Sequence, residues 1–262
     1  MERIEVIKNH YSSYNENERF SSKHGAVEFI TTLKYVEKYL SPGMKIIEIG
    51  AATGRYSHYF ARKGYDVTAV ELVEKNIEVF KENTLTGENV SIFQGDATDL
   101  SFIESEAYDV TLLLGPMYHL YTEEDQLSAL SEALRVTKRG GIIFSAYCNS
   151  DLTVYQYCFG RNMILDTIAK NKIDLRSYKC FSLPEDIFQL HRKEDIDALM
   201  SHFKVSRLHY VGTDMLTHFM RGCVDEMSDE VFEIFIDYHL SICERADMIG
   251  ATNHILDIFR KE

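Results

Sequence analysis

The chain has 262 residues, with 28 Lys+Arg against 41 Asp+Glu and a formal charge of −13. That length suits one large domain, or one carrying a sizeable insertion, and it buries about three-quarters of the unfolded surface without a metal or disulfide staple. A composition of 45% apolar and 26% charged residues excludes disordered, collagen-like and coiled-coil classes, and the acidic balance disfavours nucleic acid as a partner.

Met1–Phe20 is polar and charged, unlike the apolar stretch of a signal peptide. Residues 26–40 then place Val27, Ile30, Leu33, Val36 and Leu40 at helical spacing, and Ser41-Pro42-Gly43 breaks the helix. Short apolar runs next alternate with helical stretches, the pattern of a parallel sheet wrapped by helices. Strands are expected at Lys45–Ile49, Asp66–Val70, Val90–Phe93, Tyr108–Leu114 and Ile142–Ala146. Helices are expected over about Tyr56–Lys63 and Glu74–Asn83, and from a capping box at Thr122 and Asp125 to the Gly140-Gly141 pair. Between Cys148 and about Arg192 the rhythm fails, and dense aromatics suggest a mostly helical insertion. A short helix at Glu194–His202 and strands at Phe203–Tyr210 and His254–Phe259 complete the chain. Residues 222–262 carry ten acidic and three basic residues, with Val231, Phe235, Tyr238 and Ile242 as an apolar stripe. This acidic tail is expected to lie away from the cleft.

Five widely spaced cysteines without a C-x-x-C pair suggest neither a disulfide framework nor a metal site. Reduced thiols and the lack of an apolar run near the roughly 18 residues of a membrane span lead us to expect a cytoplasmic protein with no membrane partner.

The most informative segment is Ile46-Ile47-Glu48-Ile49-Gly50-Ala51-Ala52-Thr53-Gly54-Arg55-Tyr56. A strand runs into a turn of small residues and then a helix, as in dinucleotide sites. The spacing is not G-x-G-x-x-G, however, and Glu48 stands two residues before the first glycine. A carboxylate there repels a pyrophosphate and favours a ligand carrying an ammonium or sulfonium, such as a cationic adenosyl compound. Glu71, at the end of the second strand, suits a pair of ribose hydroxyls. Asp96, in Gly95-Asp96-Ala97-Thr98, is positioned to meet an adenine amino group.

Residues 44–147 resemble class I S-adenosyl-L-methionine (SAM)-dependent methyltransferases. The resemblance rests on E-x-G-x-x-x-G, the acid after strand two, G-D-A after strand three and the strand-four segment Y-D-V-T-L-L-L-G-P-M-Y-H-L, in that order. Gly115-Pro116-Met117-Tyr118-His119-Leu120, Asp237-Tyr238-His239 and Asn253-His254-Ile255-Leu256 look like a bacterial branch that acts on small molecules. Ala52 stands where the family usually has glycine, a change that costs little unless the backbone is left-handed there.

The resemblance implies a Rossmann-like, doubly wound α/β fold with a seven-stranded sheet whose last strand is antiparallel, plus a helical cap and insertion. It implies SAM as cofactor, held by the backbone of Gly50, Ala51, Ala52, Thr53 and Gly54, with Glu48 on the amino group and Glu71 on the ribose. Leu72 would pack on the adenine, Asp96 and Ala97 would hold its edge, and Gly115 would face the methyl region. In related enzymes a segment such as Tyr11–Arg19 folds over the ligand, so Tyr14 or Arg19 could reach the SAM carboxylate. The chain divides accordingly into an N-terminal cap (1–43), a SAM-binding core (44–147), a helical lid (148–192) and a C-terminal part completing the sheet (193–262).

Methyl transfer is a one-step in-line displacement, and positioning alone can supply roughly 7–11 kcal/mol. His119 is the best sequence candidate to take a proton from a hydroxyl or ammonium acceptor, with Tyr118 beside it; a thiol or neutral amine needs no base. The post-strand-four loop lacks the Asn/Asp-Pro-Pro-aromatic pattern of enzymes that methylate exocyclic or amide nitrogens. A small-molecule O, N or S acceptor is therefore expected. Two rivals remain: a non-catalytic SAM-binding regulator, and an NAD-linked oxidoreductase, against which Glu48 and the glycine spacing speak.

Overall fold

The computed structural model describes residues 3–13 and 19–262. Helices α1 (Arg3–Ser13) and α2 (Lys23–Glu37) precede strand β1 (Lys45–Ile49), and Ser22 caps α2 by accepting from the Gly25 amide at 3.2 Å. Then follow α3 (Arg55–Arg62), β2 (Asp66–Glu71), α4 (Glu74–Asn83), β3 (Val90–Gln94), β4 (Tyr108–Leu113), α5 (Glu123–Val136) and β5 (Thr137–Asn149). The insertion holds α6 (Ser150–Thr153), a π-helical turn at Val154–Phe159, α7 (Ile164–Ala169) and β6 (Leu190–His191). The chain ends with α8 (Lys193–Met200), β7 (Val205–Gly212), α9 (Arg221–Asp225), α10 (Asp229–Ile242) and β8 (His254–Lys261).

The sheet runs β3-β2-β1-β4-β5-β8-β7, with the two-residue β6 attached to β5 off this path. Every pairing is parallel except those of β8, which is antiparallel to both β5 and β7. This is the doubly wound seven-stranded arrangement with an antiparallel last strand, supplemented by one short strand that periodicity did not reveal.

Both faces of the sheet are covered, so its central strands read as continuous apolar runs. Ile46, Leu112, Phe144 and Ile258 pack under Leu33 and Val36 of α2 and Phe60 of α3. Ile47, Ile49, Leu113 and Ile143 pack on the other side under Leu130 of α5 and Leu199 of α8. Burial on this scale contributes about 1.5–3 kcal/mol per large side chain. The chain order reverses between β1 and β4, and in open α/β sheets a ligand crevice forms at such a switch point, outside the strand ends.

Three sequence expectations need correction. The helix opened by Thr122 ends at Val136 instead of the Gly140-Gly141 pair. Thr137 already pairs with Tyr108, its hydroxyl meets Thr111 at 2.6 Å, and a register shift follows before Val110. The insertion is helical only in its first half. Beyond α7 a turn at Asp174, whose carboxylate accepts from the Ser177 amide at 2.9 Å, gives way to irregular chain fixed by an Ile173–Cys180 bridge. On α10 the buried face is Ile236 and His239, while Val231 and Tyr238 are exposed. The apolar stripe is thus rotated from the one expected.

Candidate active site

The loop after β1 is held by its glycines. The Gly50 and Ala51 amides both donate to the Val70 carbonyl, at 2.8 and 3.0 Å, tying the turn to the end of β2. Gly50 and Gly54 have φ of +78° and +87°. A Cβ on Gly50 would lie 2.6 Å from Pro116 Cδ, and one on Gly54 would lie 2.4 Å from the Phe80 ring. Side chains are therefore excluded twice over, by conformation and by space. Ala52 also has positive φ, +47°. The condition under which alanine would cost little is therefore not met, and a left-handed alanine is strained by about 1–2 kcal/mol. Asn83 Nδ2 donates to the Thr53 carbonyl at 3.2 Å and closes the far side of the loop.

Three carboxylates ring the crevice. Glu48 is buried and accepts from the Ser57 amide at 2.9 Å and from the Ser57 hydroxyl. Burial pushes its pKa up to about 8, against the pull of those hydrogen bonds. Glu71 accepts from the Ala52 amide at 2.8 Å on one oxygen, and from the Val73 amide at 2.8 Å and Asn76 Nδ2 at 3.3 Å on the other. Burial raises its pKa as well, with the backbone donors opposing. Asp96 accepts from the amide and hydroxyl of Thr98, both at 3.0 Å.

These groups fall into two joined halves. One, lined by Glu71, Leu72, Asp96, Ala97, Gly115 and His119, is covered by Arg3, Ile7 and Tyr11 of α1. The other contains Glu48, Ala51, Thr53, Arg19, Glu28 and Tyr118. Gly50, Ala52, Tyr11 and Gly115 line both halves. Arg19 reaches this second half and forks onto Glu28, at 2.9 and 3.1 Å. Tyr14 lies outside the described residues.

The covering helix is pinned at both ends. Arg3 pairs with Asp96 at 2.5 Å, and the Tyr11 hydroxyl lies 2.9 Å from His119 Nε2. The other His119 nitrogen, Nδ1, is 2.7 Å from the Ile187 carbonyl. A carbonyl only accepts, so Nδ1 carries the proton and Nε2 accepts from Tyr11. Burial lowers the His119 pKa to about 4, leaving the ring neutral. Both nitrogens are engaged, so this geometry describes a pin between α1 and the loop at Ile187. It does not suit the proton acceptor expected from the sequence.

Tyr118 lines the crevice and also a cavity of about 430 Å³ beyond it, with Tyr11, Glu28, Phe188, Asp214, His218, Arg221 and His254. Its hydroxyl is buried without a hydrogen-bond partner among the described residues. Phe188, His218 and His254 continue into a second cavity of about 470 Å³, with Cys148, Cys158, Cys180, Tyr157, Phe181 and Leu190 in its walls. His254 belongs to the acidic C-terminal stretch, which therefore does border the cleft, contrary to the sequence reading.

Asp214, His218 and His254 bring one carboxylate oxygen and two ring nitrogens within 4.8 Å of one another. Sequence reasoning assigned none of the three to the site, since Asp214 and His218 stand in no recognisable motif. Among the described residues, no helix is long and apolar enough to cross a membrane.

Residues 46–141 match the methyltransferase domain family. The ubiquinone biosynthesis O-methyltransferase of Hahella chejuensis is 21% identical over 199 residues, 74% of this chain and 81% of that relative. The demethylmenaquinone methyltransferase of Staphylococcus aureus is 34% identical over 104 residues, 38% of this chain and 42% of its own. A Thermotoga maritima structure, described as a SAM-dependent methyltransferase and possible histamine N-methyltransferase, shares the fold. It superposes with a TM-score of 0.57 at 18% identity over 100% of both chains. The chain is a SAM-dependent methyltransferase of class I. Its cofactor is SAM.

Proposed function

We propose that the protein transfers the SAM methyl group to a hydroxyl of an aromatic small molecule. The observation that carries this reading is the continuity of the crevice with the cavities beyond Tyr118: Tyr11, Tyr118 and Phe188 stand among imidazole and charged groups in the nearer one, and Tyr157, Phe181, Phe188, Leu190 and three cysteines stand beside Asp166, Lys170, Lys172 and Asp186 in the farther one. Aromatic surface beside convergent polar groups suits a small organic ligand. The names of the Hahella and Staphylococcus relatives, both enzymes of quinone pathways, lend support to this acceptor class.

The residues present fit the cofactor. Glycine-only positions at 50 and 54 leave backbone open to the methionine portion, with Glu48 for its ammonium and Arg19 for its carboxylate. Glu71 would hold the ribose, Leu72 the adenine face, and Asp96 with Ala97 the adenine edge. Gly115 carries no side chain to fill the space between β1 and β4, which suits the methyl region. When bound, SAM supplies an electrophilic methyl group. The protein's own task is to align the acceptor behind that carbon and to exclude water, and such positioning accounts for roughly 7–11 kcal/mol of barrier. The division into a cap (1–43), core (44–147), lid (148–192) and sheet-completing part (193–262) follows from the same reading.

Incubation of the protein with SAM and separate panels of phenols, primary amines and thiols, with S-adenosylhomocysteine measured by mass spectrometry, tests this. Turnover on phenols is expected. Turnover confined to amines or thiols would refute the acceptor class.

A further inference from the structure

The mechanism leaves unused the most heavily hydrogen-bonded acid in the acceptor cavity. Asp214 Oδ1 accepts from the Thr252 hydroxyl at 2.6 Å and from the amides of Asn253 and His254 at 2.8 and 3.2 Å. Its other oxygen lies 2.8 Å from His254 Nδ1 and 3.0 Å from His218 Nε2. The carboxylate is thus rigid, buried and aimed at two imidazoles. His254 lines both acceptor cavities, and its ring centroid is 5.8 Å from that of Tyr118, which lines the cofactor crevice.

For the neutral rings, proton bookkeeping fixes the tautomers. A carboxylate only accepts, so His254 Nδ1 carries the hydrogen and Nε2 is left for the cavity. The ring's remaining partner is the Cys148 thiol, a weak hydrogen-bonding group in the same wall. His218 differs. Arg221 Nε donates to its Nδ1 at 3.1 Å, so its Nε2 carries the hydrogen and donates to Asp214. That arrangement argues against a cation among the three residues, because a ligating Nε2 would require a hydrogen on Nδ1, facing the guanidinium.

We propose that His254, oriented by Asp214, is the catalytic base that takes the proton of the acceptor hydroxyl. The inference rests on the proposed hydroxyl acceptor. As the acceptor oxygen bonds to the methyl carbon, its proton passes to His254 Nε2. The carbon–sulfur bond breaks with its electron pair remaining on sulfur, so the positive charge lost there reappears on the imidazolium beside Asp214. His218 holds the second edge of the Asp214 carboxylate and is a positioning residue.

The charged and titratable groups around His254 are Glu28 of α2, whose Oε2 is 3.6 Å from Nδ1, Asp214, His218 and the Cys148 thiol, with Arg19 (paired to Glu28) and Arg221 (against His218) in the same cavity wall. Burial disfavours charge on the ring, but Glu28 and Asp214 outweigh it and hold its pKa well above the ordinary value. An imidazolium cannot accept a proton, so the free enzyme is in its resting form. A neighbouring sulfonium opposes the second positive charge and favours the neutral ring that the reaction needs.

The test combines turnover with a direct reading of the ring. With the best phenol of the panel, His254→Gln should lower kcat by about 10²–10⁴-fold while SAM binding is retained. Asp214→Asn should lower kcat about ten-fold or more. Histidine ¹⁵N NMR of the wild type should give a lower His254 pKa with SAM than with S-adenosylhomocysteine, and the Nδ1–H tautomer once neutral. Equal His254 titration in the two complexes, or unchanged turnover in His254→Gln, would overturn the proposal. Visible absorption of added Co²⁺ that is lost in Asp214→Asn would replace it with a cation site. If no phenol turns over, the acceptor reading fails, yet the NMR comparison still decides the role of His254.

Discussion

The Ala52 amide donates to the Glu71 carboxylate at 2.8 Å, so the corner of the glycine loop and the acid ending β2 form one mechanical unit. The same carboxylate accepts from Val73 and Asn76 at the start of α4. Removing it should loosen the loop and the ribose side together. Glu71→Ala should weaken SAM binding by about 1.5–3 kcal/mol, the scale for charged hydrogen bonds, measurable by calorimetry. Unchanged affinity would show that the ribose lies elsewhere.

Ala52→Gly relieves the left-handed strain at that corner. The gain of about 1–2 kcal/mol from relief exceeds the added chain entropy of glycine, 0.5–1 kcal/mol. Denaturant unfolding should therefore register about 0.5–1 kcal/mol of stabilisation, and a loss of stability would contradict the strain.

Gly54→Ala and Gly115→Ala should separate. A Cβ at 54 meets the Phe80 ring at 2.4 Å with φ of +87°, whereas one at 115 finds only the Gly50 carbonyl, at 3.5 Å. The first substitution should cost about 2 kcal/mol or more of stability, from overpacking plus backbone strain. The second should leave the melting temperature nearly unchanged while weakening SAM binding, and equal thermal shifts would defeat this contrast.

Glu48 links cofactor binding to pH. Its folded pKa of about 8 lies above the ordinary 4.5, so the native state holds a proton that the unfolded chain releases. Its stabilising contribution is complete below about pH 4.5 and is lost as pH rises through 8. An ammonium placed against Glu48 favours the carboxylate, so SAM binding near pH 7 should release a proton and tighten toward pH 8. Calorimetry in buffers of different ionisation enthalpy reads that proton. Glu48→Gln should abolish its release and flatten the stability profile between pH 5 and 8.

His119→Ala should raise the Kd for SAM more than it lowers kcat, since it removes the partner of Tyr11 and of the Ile187 carbonyl. Two hydrogen bonds lost at a mostly buried site cost about 1–3 kcal/mol. A larger effect on kcat than on Kd would restore His119 to the chemistry.

The sheet and its glycine loop were legible because both are local. Strand runs, the Gly50–Gly54 turn and the acids at 48, 71 and 96 lie within one contiguous stretch of the chain. The acceptor cavity was not, because Glu28, Tyr118, Cys148, Asp214 and His254 converge from opposite ends of the sequence. His254 could be noticed only through family resemblance, and nothing in the residues around Asp214 reports that its carboxylate faces two imidazoles. The sign of φ at Ala52 was equally hidden, since the same tripeptide can turn in several ways. On α10, spacing identified a helix but not which of two apolar stripes faces inward, a choice made by its packing partners.

Helix α1 spans the half of the crevice that holds Glu71 and Asp96, fastened by Arg3 at one end and Tyr11 at the other, with Ile7 sealed beneath it. With the nucleoside placed there as proposed, its traffic must keep time with undocking of that helix. Since Tyr11 also borders the acceptor cavity, the order of arrival and departure is set by the same gate. Product release, and with it inhibition by S-adenosylhomocysteine, should respond to Arg3→Ala through a faster dissociation rate, leaving the chemistry of methyl transfer unaltered.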